Sequence, residues 1–417
     1  MKMLSRLLAL TLAMLLCLPA LAETTPDDVL VTIDGSAVTR AEFDACLTDL
    51  QDLYASYGYD VTDPTIAAVL QQLALETAMQ YEMLGLKMVE MNLQPTDEEL
   101  ADAAQIARED FGLQVDMIVD QYGAYGLADV STEAGRAAVM VEVLSQLEAM
   151  GITEASYIAK AQTNAGYDKV YDWIVSDVAV TEEEIRAHYD SLVEADRVAY
   201  ANDVAAYEAM QENNRYALMY GMTEYYVDLY YVPEGYRRVT HILLQADDTA
   251  LASWTALTAN NADPAEIAAA EAAVLASVQP SVDEINARLA AGESFGSLIP
   301  DYTIDPGMMD EAAIAAGYEL HTQSTGWAKP FHDAAFTMAQ VGDVSAPVVS
   351  NFGVHILHYA ADVPGGPVPY TDDVRALLGE ALLGPRQTAR YEETLKIWMD
   401  AAEIDYSAEA EAILSAY

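Results

Sequence analysis

The sequence predicts an α+β protein: a mostly helical body, made of N-terminal helices and a returning C-terminal helix, into which one α/β unit is inserted. Helical periodicity punctuated by Pro64, Pro95, Gly126 and Gly151 fills most of residues 40–177. After Pro233-Glu234-Gly235 the pattern changes to a β-branched and apolar run, Val239-Thr240-His241-Ile242-Leu243-Leu244, followed by alanine-rich helices and further strand text near 348–357. Helix then returns over 371–402. Helices lying between distant strands make the middle segment an α+β unit and not a continuation of the helical body.

The chain opens on Met1-Lys2-Met3-Leu4-Ser5-Arg6, an apolar run over 7–18, and Pro19-Ala20-Leu21-Ala22. A basic start, a short apolar core and an Ala-x-Ala site read as a secretory signal over 1–22, cut before Glu23. An uncleaved anchor is the weaker reading, because a spanning helix needs roughly 20 apolar residues. Cys17 follows Leu16, where a lipoprotein signal has a small residue, so no lipid anchor is expected. The expectation is an exported protein, periplasmic, cell-envelope or extracellular, with no stable membrane insertion after cleavage.

Cleavage removes Lys2 and Arg6 and leaves 17 basic residues against 67 acidic ones, a net of −50. Such a charge excludes nucleic acid and anionic membrane surfaces as partners. The acids are spread along helical segments, which describes a solvated, self-repelling surface. Of two cysteines only Cys46 survives processing, so the cleaved chain is expected to hold no intramolecular disulfide.

In chain order, 29–33 reads as a strand, Asp34-Gly35 as a turn, and Thr39 with Glu42 as the cap of a helix over 40–57. Helices follow over 65–92, 97–122, 132–149 and 154–177, and the acidic runs after Thr96 and Thr181 resemble capping boxes. Residues 182–230 read as one long helix dense in tyrosine: Tyr200, Tyr207, Tyr216, Tyr220, Tyr225, Tyr226 and Tyr230, with Tyr231 just beyond. Interhelix packing explains such spacing most simply, and a surface that grips unfolded polypeptide is the sharper alternative. Past the strand at 236–244, helices are expected at 249–259, 264–277 and 282–291, then strands at 348–349 and 353–357.

His241 and His355 each sit inside an apolar strand, where an imidazole needs a partner. Between and around them, in order, stand Ala291-Gly292-Glu293-Ser294-Phe295, Tyr302-Thr303-Ile304-Asp305-Pro306-Gly307, Lys329-Pro330-Phe331-His332-Asp333-Ala334-Ala335-Phe336 and Gly342-Asp343-Val344-Ser345-Ala346-Pro347-Val348, closing on Phe352-Gly353-Val354-His355-Ile356. This ordered series resembles the parvulin (PpiC-type) peptidyl-prolyl cis/trans isomerases. The resemblance implies that His241 and His355 are the paired imidazoles of the site, with Asp305 between them as its acid. It also implies Phe331 as the wall of a proline slot, Trp327 as a residue that caps the proline ring or fills the slot, and Phe352 as lining the approach to the second histidine. Trp327 stands where many members have methionine, and the family's Gly-Asp-Leu-Gly segment is replaced near Gly317-Tyr318-Glu319-Leu320. His321, His332 and His358 match no role. The implied chemistry needs no cofactor and no metal: the barrier is loss of amide conjugation, roughly 18–20 kcal/mol, and catalysis means preferring the twisted bond. Gln245-Ala246-Asp247-Asp248, acidic after the first strand, argues against recognition of phosphorylated clients.

The flanks Val29-Leu30-Val31-Thr32-Ile33-Asp34-Gly35, Val180-Thr181-Glu182-Glu183-Glu184-Ile185 and Ala402-Glu403-Ile404-Asp405-Tyr406 resemble SurA-like chaperones and PrsA-like foldases. This gives an N-terminal helical chaperone domain over 23–180, linking helices over 181–235, and the isomerase over 236–361 with a helical insertion at 249–277. A C-terminal helix over 367–417 completes the N-terminal domain. The implied function is an exported isomerase and chaperone acting on unfolded or nascent exported polypeptides that contain X-Pro bonds. Its rivals are a holdase with an inactive parvulin domain and a purely structural surface protein.

Overall fold

A computed structural model describes residues 28–416, so the expected leader over 1–22 and its cleavage site lie outside the described residues. Two compact units divide the described residues: 28–179 together with 381–416, and 180–380.

The first unit begins with β1 (Val29–Ile33) and β2 (Ser36–Thr39), paired antiparallel through Asp34 and Gly35, both at positive φ (47° and 86°). A two-residue loop with both centres at positive φ follows the strand twist, which is why Asp-Gly stands there. A second short strand thus intervenes where the sequence suggested that the turn leads straight into helix. Thr39 then caps α1 (Arg40–Ser56): its hydroxyl accepts the Glu42 N–H at 3.3 Å while the Glu42 carboxylate accepts the Thr39 N–H at 2.7 Å. Next come α2 (Pro64–Glu90), α3 (Asp97–Ala124), α4 (Glu133–Ala149) and α5 (Glu154–Val175), with reciprocal caps at Thr96 and Thr153. Phe111, Val115 and Val119 of α3 pack on Val139 and Val143 of α4.

The second unit opens with α6 (Glu182–Tyr200) and α7 (Val204–Met219). The single helix expected over 182–230 is therefore broken, because the Asp203 carboxylate accepts the Ala206 N–H and starts a new helix. It ends before Gly221, which takes a φ of 68°. The tyrosines divide accordingly: Tyr207, Tyr230 and Tyr231 are buried, while Tyr216, Tyr220, Tyr225 and Tyr226 are exposed. Then follow β3 (Tyr231–Val232), β4 (Arg237–Leu244), α8 (Asp248–Ala259) and α9 (Pro264–Ala290). The helices expected at 264–277 and 282–291 are one, since α9 runs through Pro280. An internal proline costs about 3 kcal/mol; burial of Val274, Val278, Val282 and Ile285 along one face offsets it.

The unit continues with α10 (Phe295–Tyr302), α11 (Glu311–Ala316), β5 (Tyr318–Leu320), α12 (Lys329–Thr337), β6 (Val348–Ser350), β7 (Gly353–Asp362) and β8 (Gly366–Pro367). Four strands form an antiparallel sheet in the order β5-β4-β7-β6, and β3 pairs with β8. Side chains alternate across the sheet. Ile242, Leu244, Val354 and Ile356 face the core with α8, α9 and α10; Val239, Leu357 and Tyr359 pack on Phe331, Ala334 and Ala335 of α12. His241 and His355 share the parity of this second face, and His358, of the other parity, stacks on Phe295 of α10 at 5.2 Å.

Residues 367–380, grouped by sequence with the C-terminal helix, pack with the second unit: the Tyr189 hydroxyl donates to the Val368 carbonyl and Tyr370 lies 4.9 Å from Tyr189. Finally α13 (Asp372–Ala401), β9 (Ile404–Tyr406) and α14 (Ala408–Leu414) return the chain to the first unit, where β9 pairs antiparallel with β1, Ile33 opposite Ile404. The Asp34 carboxylate accepts the Glu403 N–H at 2.8 Å, and fully buried Ala410 joins Leu30, Ile33, Leu75 and Met83 in the core. Cys46 is buried in the same core. Among the described residues no helix is long and apolar enough to cross a membrane.

Ending the chain after Ala402 removes β9 and α14 and bares the edge of β1. Calorimetry is expected to show the first unit's transition lowered by at least about 5 °C, the second unit's left in place; a single unchanged transition would contradict this.

Candidate active site

The register of β4 on β7 sets His241 opposite Leu357 and His355 opposite Leu243, so the two histidines are diagonal neighbours on one face. Their rings lie 5.3 Å apart at 24°, with Nδ1 to Nδ1 at 3.2 Å, and both are buried. Nε2 of His241 meets Oδ2 of Asp305 at 2.5 Å, and Nε2 of His355 meets Oγ of Ser350 at 2.6 Å. The Phe352 N–H donates to that same Ser350 hydroxyl at 3.1 Å.

Asp305 reaches the array because its loop is stitched to β4. The Thr303 hydroxyl accepts the N–H groups of Leu243 and Asp305 at 3.1 and 3.2 Å, and the Ile304 N–H donates to the Leu243 carbonyl at 2.9 Å. Oδ1 accepts the Gly307 N–H at 2.9 Å, and Oδ2 takes a second donor, the Tyr318 hydroxyl, at 2.9 Å. A Cβ at 307 would stand 2.0 Å from the Tyr318 oxygen, so any other residue there would displace that hydroxyl.

Two proton arrangements satisfy this array. Either His241 is neutral and accepts from the Nδ1–H of His355, or His241 is an imidazolium beside Asp305 and donates to His355. In both, His355 is neutral and neither ring keeps a nitrogen for a substrate. Every ring nitrogen is engaged within the protein.

The hydrogen bond from His241, helped by the Gly307 and Tyr318 donors, holds the Asp305 carboxyl down to about 2 against the opposing effect of burial. Burial, reinforced by His241, pushes His355 down to about 4. Burial and the adjacent Asp305 push the Tyr318 phenol up.

Phe331, 3% exposed, stands close to perpendicular to both rings, 5.0 Å from His241 at 83° and 5.2 Å from His355 at 73°. Trp327 stacks on Phe331 at 5.5 Å and 17° and tilts against Tyr318 at 5.0 Å. The fold therefore brings together His241, Asp305, His355, Phe331 and Trp327. It does not bring in the Phe352 ring, which is 61% exposed; the link from that residue is its backbone N–H. Ser350 and Tyr318 were missed. A hydroxyl five residues before His355 and a tyrosine after Gly317 were the signals, readable only once the strand register is known. Among the described residues no group of three or more His, Cys, Asp or Glu is placed to hold a metal ion.

Residues 241–361 match the family model described as a PPIC-type PPIASE domain, a rotamase. Foldase protein PrsA 2 of Listeria monocytogenes is 28% identical over 124 residues, 30% of this chain and 40% of that protein, so the chain spans well under half the length of that relative. Foldase protein PrsA of Clostridium acetobutylicum is 21% identical over 388 residues, 92% of this chain and 89% of that one. The solution structure of NmPin, the parvulin of Nitrosopumilus maritimus, is 28% identical and covers 31% of this chain and 99% of its own, with a TM-score of 0.19.

The pH dependence of stability follows in sign. His355 is held near 4 against an ordinary 6.5, so from about pH 6.5 down to 4 the unfolded chain takes a proton that the fold refuses, and stability falls. Asp305, held near 2 against 3.8, adds stability above pH 3.8 that is lost as pH falls towards 2. Urea unfolding of the second unit is expected to weaken between pH 7 and 4.5, and His355→Gln to flatten that segment; equal slopes in both proteins would contradict it.

Proposed function

From residues 241–361 being a PPIC-type rotamase domain, we propose that this chain is an exported peptidyl-prolyl cis/trans isomerase and chaperone. Its clients are unfolded or nascent exported polypeptides that contain X-Pro bonds, met in the periplasm, cell envelope or extracellular space. The observation that carries the reading is the array Tyr318–Asp305–His241–His355–Ser350 packed against Phe331.

The chemistry this geometry offers is non-covalent. Twisting an X-Pro amide removes conjugation and reduces its charge separation, so an apolar aromatic wall favours the twisted bond over the planar one. Phe331 supplies that wall. Asp305, kept ionised by three donors, sets the local field and leaves its remaining lone pairs to an N–H of the client. The histidines hold Asp305 in place and act as positioning residues, since neither has a free ring nitrogen. A covalent step at Asp305 is not required.

The stack of Trp327 on Phe331 favours a second reading, a holdase whose slot is filled by its own indole. Protease-coupled turnover of an Ala-Pro tetrapeptide by the full chain separates the two. The first reading predicts catalysis above background, an at least ten-fold loss in kcat/KM for Asp305→Ala, and a far smaller change for His358→Gln on the other sheet face. Turnover at background in the wild type, restored by Trp327→Met, would establish the second reading; background rates in both would reject isomerase activity.

A further inference from the structure

The residues that the isomerase site leaves unexplained are the exposed tyrosines at the end of α7 and just beyond it. Between 216 and 227, Tyr216, Leu218, Met219, Tyr220, Met222, Tyr225, Tyr226 and Val227 are all exposed, Tyr220 and Tyr225 by about two thirds of their surface (66% and 67%). Scattered single apolar residues on a surface need no explanation, but a contiguous run does. The run is also held in place. Buried Asn214 on α7 donates from its amide to the Val227 carbonyl at 2.7 Å and accepts the Val227 N–H at 2.9 Å. The loop is thereby fixed through its backbone with its apolar side chains left outside, and Tyr216 stacks on Tyr220 at 10°. Hydrophobic collapse alone would turn such side chains inward.

Helix α7 is in turn docked onto the isomerase domain within the same unit. Tyr207 packs on Tyr236 at 5.7 Å, and Glu208 accepts from the Tyr236 hydroxyl at 3.2 Å and from the Ser324 hydroxyl. From Glu208 to Tyr220 the helix extends about 18 Å. The patch thus stands at a fixed offset from the domain that carries the proline site.

We propose that the 216–227 surface is a second polypeptide-binding site, taking apolar, net-basic segments of the unfolded chain whose X-Pro bond enters the isomerase domain. This rests on the chaperone half of the function proposed above and not on turnover at Asp305. Charge selects the occupant. Glu224 and Asp228 lie within or beside the patch without an ion-pair partner among the described residues, and Arg215 is already paired with Glu212 at 2.5 Å. A second copy carries the same net charge of −48 and is repelled, and an anionic lipid surface is repelled likewise. Two linked contacts on one chain raise the local concentration of the proline at its site without a new contact there.

The test uses the full chain and the combined variant Tyr216→Ser, Tyr220→Ser and Tyr225→Ser, with Tyr225→Ser alone as a milder control should the triple variant fold poorly. Light scattering of a reduced, denatured, basic client lacking proline reads the patch; the Ala-Pro tetrapeptide reads the site. The expected result is an approximately ten-fold higher concentration for half-suppression in the triple variant, a smaller shift for Tyr225→Ser, and an unchanged tetrapeptide rate. Unchanged suppression by the folded triple variant overturns the proposal. So does a wild-type chain that turns over the tetrapeptide but suppresses nothing, a result that leaves the isomerase reading standing. Suppression lost in the variant with no turnover in either protein sinks the isomerase reading and sustains this one. Two further outcomes overturn it by assigning another occupant: a concentration-dependent dimer abolished by the triple variant, or flotation with zwitterionic vesicles that the variant loses while suppression persists.

Discussion

Everything at the candidate site depends on the register of β4 against β7. Because side chains alternate along a strand, His241 and His355 share a face only while His241 opposes Leu357 and His355 opposes Leu243. A slip of one residue would carry one imidazole into the aliphatic core beside Val274 and Ile285, where it would find no polar partner. Two apolar layers of opposite parity, α8 to α10 on one side and α12 on the other, hold that register. The array is therefore a consequence of core packing.

The same register explains why the polar groups are tolerable in a buried place. Asp305, His241, His355 and Ser350 form one continuous series in which each polar atom has a partner. A complete buried network is stable and specific, and a partly satisfied one is costly. Neutral His355 lies on the inside of this network and ionised Asp305 at its more open end, so charge sits where burial penalises it least. Tyr318 sharpens the arrangement: its hydroxyl adds a second donor to Oδ2 and depends on the absence of a side chain at Gly307.

Much of this could be read from sequence where the information was local. His241, Asp305, Phe331 and His355 stand in short motifs whose order survives, and the caps at Thr39, Thr96 and Thr181 are fixed by neighbours three residues away. What was hidden depended on distant pairing. Ser350 and Tyr318 matter only through the strands that set them beside His355 and Asp305. Periodicity missed the break at Asp203 because the helices on either side are both regular, and it invented a break at Pro280, where four buried aliphatic residues outweigh a lost backbone bond. Spacing alone could not divide the tyrosines, because whether Tyr207 or Tyr220 is covered depends on where the segment carrying Tyr236 folds back.

The central physical claim is that the histidines are engaged with each other and with Asp305, and that His355 stays neutral. Titration of 15N-labelled imidazoles in the full chain tests it most directly. The account predicts that His355 remains a neutral imidazole down to about pH 5 and protonates only near 4. An imidazolium at His355 forming at pH 6 or above would contradict it.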